Sequence, residues 1–117
     1  MLAVNNFEVA RALRYIWDHF SDSRLQVTEV VANTKLSRRP LEILFKKEVG
    51  RTINQEITRY RLEKARALLR HSGQSATEIS QACGFTRPNQ LHRVFKKHIG
   101  LSPGEFKKDP GHRSSPA

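Results

Sequence analysis

The apolar positions of this chain recur three and four residues apart, the spacing of helices rather than strands. Leu13, Ile16, Trp17 and Phe20, extended by Val9 and Ala10, form one stripe, which predicts an amphipathic helix over residues 5–20 with Trp17 in its core face. The polar run SDSRLQ interrupts that pattern. Val27, Val30 and Val31 then begin a short helix reaching about Thr34, too short to persist without packing. Lys35, Leu36 and Ser37 make a tight connection, and Ser37 is placed to cap a helix from Arg38 to Val49 that Gly50 ends. Pro40 falls in its first turn, where the missing N–H has no intrahelical partner to lose. Residues 52–72 are the longest periodic run, with Ile53, Ile57, Tyr60, Leu62, Ala65, Leu68 and Leu69 in a broad band and Arg59, Arg66 and Arg70 outside it. Ser72 and Gly73 stop this helix, and residues 76–83 predict another short one before Gly84, whose freedom at positive φ suits a sharp turn. Thr86 is expected to cap a further helix, with Pro88 in its first turn and Gly100 at its end. A last helix starts at Ser102-Pro103 and carries Phe106, and residues 109–117 read as a disordered tail.

The same unit occurs twice. Leu41, Phe45, Lys46, Lys47 and Gly50 recur as Leu91, Phe95, Lys96, Lys97 and Gly100, an offset of fifty. Upstream, Glu29, Val30, Leu36 and Ser37 match Glu78, Ile79, Phe85 and Thr86 at an offset of forty-nine. Two units make a tandem module rather than a solenoid. Each is a short helix, a tight turn and a longer helix, the arrangement of a helix-turn-helix.

Projected at about 100° per residue, the helix over 38–49 buries Leu41, Leu44, Phe45 and Val49 and turns out Arg39, Glu42, Ile43 and Lys46. Its repeat buries Leu91, Val94, Phe95 and Ile99 and turns out Asn89, His92, Arg93 and Lys96. An outward isoleucine among charges fits a helix in a DNA major groove, where it packs on a thymine methyl; packing on a neighbouring side chain is the plainer alternative. Arg39 suits guanine and Asn89 adenine; Arg93 suits guanine or phosphate, and His92 base or phosphate. Glu42 either accepts from cytosine or only positions Arg38 or Arg39 through a salt bridge. Ser37, Arg38, Lys46, Lys47, Arg51, Thr86, Arg87, Lys96 and Lys97 are expected at phosphates, where they set register without selecting sequence.

Composition supports that direction. Among 117 residues, 21 Lys and Arg stand against 11 Asp and Glu, a net charge of +10, which favours a polyanionic partner. The single Cys83 excludes an internal disulfide, suits a reducing compartment and reads as a small buried hydrophobe. No Cys/His cluster has zinc-ligand spacing, so no metal or other cofactor is expected. No secretory signal and no membrane-spanning run is visible, so a cytoplasmic protein without membrane contact is expected. An enzyme lacks its parts here: no paired carboxylates in an apolar setting, no nucleophile with a base, no phosphate loop. Single-stranded RNA binding is disfavoured because the aromatics fall on apolar helix faces rather than outward. A non-specific nucleic-acid-binding or protein-adaptor module is the remaining alternative.

With these residues in place the chain resembles the DNA-binding domain of the AraC/XylS family of bacterial transcription regulators, over about residues 7–108. The second unit carries most of the likeness, through Ala76-Thr77-Glu78-Ile79, Ala82-Cys83-Gly84-Phe85, Arg93-Val94-Phe95-Lys96-Lys97 and Gly100-Leu101-Ser102-Pro103 followed by Phe106-Lys107. The first contributes Leu36-Ser37-Arg38-Arg39, Leu41-Glu42 and Leu44-Phe45-Lys46-Lys47, and the linker Arg61-Leu62-Glu63-Lys64-Ala65-Arg66 and Leu68-Leu69. The resemblance implies an all-α fold of about seven helices, two helix-turn-helix units joined by a long central helix. Its divisions would be 1–50, a linker helix 51–72, a second unit 73–108 and the tail 109–117. It places base contacts at Arg39, Glu42, Ile43, Pro88, Asn89, His92 and Arg93, although Pro88 has neither N–H nor polar side chain to offer. Lys35 stands where the turn commonly has glycine, so either a strained left-handed residue or a reshaped turn is expected. The resemblance further implies a fragment that binds double-stranded DNA as a monomer, in a parent that has an effector-binding domain and contacts RNA polymerase. Details such as Glu48-Val49-Gly50 and Thr52-Ile53 are similar to xylose-responsive regulators.

Overall fold

A computed structural model describes residues 6–108, and among them every regular element is a helix. In order these are α1 (Phe7–His19), α2 (Val27–Ala32), α3 (Arg38–Val49), α4 (Ile53–His71), α5 (Ala76–Cys83), α6 (Pro88–Ile99) and α7 (Pro103–Lys108). The expected tail, 109–117, lies outside the described residues. The chain divides between Tyr60 and Arg61 into two compact units, so α4 begins in one and ends in the other.

The first unit closes over Val9, Ala12 and Ile16 of α1, Val27 and Val30 of α2, Leu41, Phe45 and Val49 of α3, and Ile53 and Ile57 of α4. Asn6 starts α1 by accepting from the backbone N–H groups of Glu8 at 2.8 Å and Val9 at 3.2 Å. The buried line of α1 differs from the one its spacing suggested: Ala12 is inside and Ala10 outside. Trp17, expected in the core, is 60% exposed. It follows Ile16 by one position, about 100° around the helix, which sets the indole at the rim of the buried face. There its ring meets Tyr60 edge-on at 5.5 Å and lies 5.9 Å from Phe20.

The second unit closes over Leu62, Ala65 and Leu69 of α4, Ile79 and Cys83 of α5, Phe85, Leu91, Phe95 and Ile99 around α6, and Phe106 of α7. Phe95 meets Phe106 edge-on at 5.3 Å, and the guanidinium groups of Arg66 and Arg70 lie 5.8 and 5.2 Å from the Phe106 ring. Cys83 is wholly buried, and desolvation pushes its thiol up to about 11.

Helix starts are fixed by reciprocal caps that the sequence reading passed over. Ser75 and Glu78 form one at α5. Thr52 and Gln55 form another at α4, with bonds of 2.8 and 3.1 Å, and Ser102 and Glu105 a third at α7, also at 2.8 and 3.1 Å. The two caps that were expected work otherwise. Ser37 occupies the position before α3, yet its hydroxyl makes no capping bond. At α6 the capping position belongs to Arg87, held extended (φ −142°, ψ 152°) as the residue before a proline must be. Thr86 lies one residue further out and donates its N–H to Oε1 of Gln90 at 2.8 Å.

The burial pattern makes Trp17 and Phe45 of unit one unequal. Trp17→Ala is expected to lower stability by about 1 kcal/mol, the value of a partly exposed aromatic pair. Phe45→Ala, which opens a cavity, should lower it by about 3–5 kcal/mol. Urea unfolding of both variants checks this, and equal losses would mean that Trp17 is packed as a core residue.

Candidate nucleic-acid interface

The core residues of α3 and α6 set what each helix presents to solvent. In α3 the buried line is Leu41, Phe45 and Val49; in α6 it is Leu91, Phe95 and Ile99. Successive members are four apart, so both lines run down one side and leave the opposite side for polar groups. Arg38, Arg39, Glu42, Lys46 and Lys47 are exposed on α3, with Ile43 open to 58% among them. On α6 Pro88, Asn89, His92, Arg93, Lys96 and Lys97 are exposed, preceded by exposed Thr86 and Arg87. Each unit therefore brings its candidate base-contacting residues to one solvent-facing side of a single helix, while Ser37, Thr86 and Arg87 precede these helices and half-buried Arg51 follows α3. Leu44 and Val94, expected inside, are half-buried.

Both helices end alike. Lys46 and Lys47 fill the last turn of α3, and Lys96, Lys97 and His98 that of α6, where cations offset the helix dipole. Gly50 and Gly100 close them in the left-handed conformation, at φ 86° and 90°.

Four charged side chains of the candidate set, Arg38, Glu42, Lys96 and Arg51, already have protein partners. Glu42 pairs with Arg38 one turn away at 3.5 Å, both side chains about half exposed. Of the two arginines considered for Glu42, this geometry takes Arg38. An exposed pair of this kind holds by about 0.5 kcal/mol or less, so either group is released readily to a ligand. Lys96 reaches Glu105 at 3.4 Å. The Glu105 carboxyl is held at about 2, first by the Ser102 backbone N–H, then by the Ser102 hydroxyl and Lys96.

Arg51 is bound more firmly. Its Nε donates to Oε1 of Glu56 at 2.6 Å, while Arg59 donates to both oxygens of the same carboxylate at 3.0 and 3.2 Å. Glu56 is completely buried. Burial alone would raise its carboxyl, but the hydrogen bonds from Arg59 and Arg51 outweigh that and hold it below the ordinary glutamate value. Glu56 was not among the residues expected from the sequence. Its signal was a carboxylate inside the apolar period Ile53, Ile57, Tyr60, with one arginine five residues before it and another three after.

Among the described residues no cluster of three or more His, Cys, Asp or Glu could hold a metal, and no helix is long and apolar enough to cross a membrane.

Residues 30–109 match a family described as a helix-turn-helix domain. Over 99 residues the chain is 39% identical to the xylose operon regulatory protein of Escherichia coli K12, covering 85% of this chain and 25% of that protein. It is 35% identical over 104 residues to the HTH-type transcriptional activator RhaS of Klebsiella pneumoniae, covering 89% and 37%. The C-terminal domain of AraT, a response regulator from Geobacillus stearothermophilus, has the same fold with a TM-score of 0.87 at 29% identity, over 97% of this chain and 92% of that one. The xylose-binding transcription activator xylR matches with a TM-score of 0.79 at 36% identity, over 92% of this chain and 28% of that one. The chain thus spans about a quarter of the length of the xylose regulators it matches.

Because the folded-state pKa of Glu56 is depressed, its contribution to stability is present above the unfolded carboxyl value of about 4.3 and is lost as pH falls through the folded value. Glu56→Gln is expected to lower stability at pH 7 by about 2 kcal/mol. That difference should shrink steadily in unfolding curves taken below about pH 4.3. A difference independent of pH would show that the Glu56 charge is not what joins Arg51 to Arg59.

Proposed function

Since the chain belongs to the AraC/XylS family of helix-turn-helix domains, we propose that it binds duplex DNA sequence-specifically through α3 and α6, each in its own major-groove segment. The observation that carries this reading is the pair of matched solvent faces. In each unit the apolar line is spent on the core, and the exposed remainder is base-reading chemistry flanked by lysines and arginines. On α3, Arg39, Glu42 and Ile43 take the base contacts; on α6, Asn89, His92 and Arg93. Ser37, Arg38, Lys46, Lys47, Thr86, Arg87, Lys96 and Lys97 meet phosphates, with Arg51 at the foot of α3 held for the same task by Glu56.

The two helices address boxes about one helical turn apart, roughly 10 bp, and the chain does so as a monomer. In the parent regulator an effector-binding domain and RNA polymerase complete the function. Its regulated genes serve carbohydrate use, with the identity to xylose and rhamnose regulators supporting that assignment. A cytoplasmic location follows from DNA as the partner.

Arg39→Ala and Arg93→Ala are each expected to weaken binding by about 1–3 kcal/mol and to relax preference at one base pair. Lys96→Ala should weaken all sequences alike and reduce the salt slope by about one. Selection from a random duplex library, then affinity against salt for the winner and a scrambled control, measures all three. If the library yields no enriched motif and modest salt abolishes binding, the chain is a non-specific basic module.

A further inference from the structure

We infer that Glu8 is a positioning residue for the first reading helix, doing for the turn before α3 what a left-handed glycine does for the turn before α6. The two turns are equivalent in sequence but closed differently. In the second unit Gly84 sits at φ 89°, ψ 13°, and its N–H bonds back to the carbonyls of Gln81 and Ser80. Phe85 follows with an N–H bond to the Ser80 carbonyl at 3.0 Å. The N–H groups of Gly84 and Phe85 thus find their acceptors within α5, while Lys64 of α4 donates to the Ala82 carbonyl at 2.8 Å.

Lys35 stands at the corresponding place in the first unit, and no non-glycine residue among those described has a positive φ. The turn is reshaped rather than strained. Asn33, at φ −85° and ψ 2°, already closes α2, and Thr34 donates its N–H and its hydroxyl to the Val31 carbonyl at 3.0 and 2.8 Å. The Lys35 N–H bonds to no α2 carbonyl in that path; it donates instead to Oε1 of Glu8, 27 residues away on α1, at 2.8 Å. Glu8 is suited to this because Asn6 anchors its own backbone N–H at 2.8 Å, and Arg11 stands 3.8 Å from its carboxylate. A second tie runs beside it: the Asn6 N–H donates to Oε1 of Glu48, on α3, at 3.2 Å. The first turn of α1 thus grips the reading helix near its far end and the turn that leads into it.

It follows that the turn before α3 depends on a side chain of α1, whereas the turn before α6 takes its backbone hydrogen bonds from α5, the helix that leads into it. This inference rests on the DNA-reading role proposed above, so its test includes a measurement without DNA. In hydrogen exchange followed by NMR, the Lys35 amide should be protected in the native chain, and Glu8→Ala should speed its exchange about tenfold or more. Glu8→Gln, which keeps an acceptor oxygen, should retain most of the protection. With DNA, Glu8→Ala should lose about tenfold in affinity through the box read by α3 and little through the box read by α6. Adding Lys35→Gly should restore most of that loss, because glycine lets the turn take the left-handed form of the second unit.

A Lys35 amide that exchanges freely in the native chain overturns the inference. So does an equal loss at both boxes that Lys35→Gly does not repair, which is the mark of general destabilisation. If the native chain selects no DNA sequence, the proposed function fails, and the amide exchange alone still decides the role of Glu8.

Discussion

A helix of twelve residues can turn only one stripe toward a core, and in α3 and α6 that stripe is a line of apolar residues four positions apart. Phe45 and Phe95 are the middle members of the two lines, wholly enclosed, and each fixes the rotation of its helix about its own axis. The composition of the solvent face depends on that rotation. A shift of one position, about 100°, would carry Arg39 or Arg93 out of the outward row and bring a lysine toward the interior. The aromatic rings thus choose which side chains are offered to a ligand without touching any ligand themselves.

The two units apply this constraint with different supporting parts. Around α6 the parts are a left-handed glycine, a capping box at α5, and a second capping box at α7 whose glutamate also reaches Lys96. Around α3 they are carboxylates of the helices on either side, with α1 supplying Glu8 and α4 supplying Glu56. A buried carboxylate shared by two arginines is a stiff joint, because moving either guanidinium leaves a desolvated charge less well satisfied. It lies just beyond Gly50, where the chain leaves α3 for α4.

Much of this was legible in residue spacing. The order and type of all seven helices follow from it, as does the outward row of each reading helix, because a strongly periodic stripe admits one rotation. Boundaries were legible to within a few residues. What failed did so for physical reasons. Trp17 obeys the helical period but sits at the edge of the stripe, and a period does not say how deep a side chain lies. Glu56 breaks the hydropathy pattern at a core position, and only tertiary structure reveals the two arginines that make its burial tolerable. Thr86 is a good cap residue by type, yet a cap is a matter of backbone conformation, and the proline at the start of α6 assigns that conformation to Arg87; Ser37 has the conformation, but its hydroxyl makes no capping bond. The turn at Lys35 needed a partner from α1, which no local window contains.

Cys83 gives the second unit a built-in chemical clock. Its thiol is fully enclosed and held at about 11, so almost none is thiolate at neutral pH and a reagent cannot reach it while α5 stays packed. It is the single cysteine of the chain. The rate at which an alkylating agent consumes it therefore reports openings of the core that α4, α5, α6 and α7 close around it, and reads out how often that half of the molecule breathes.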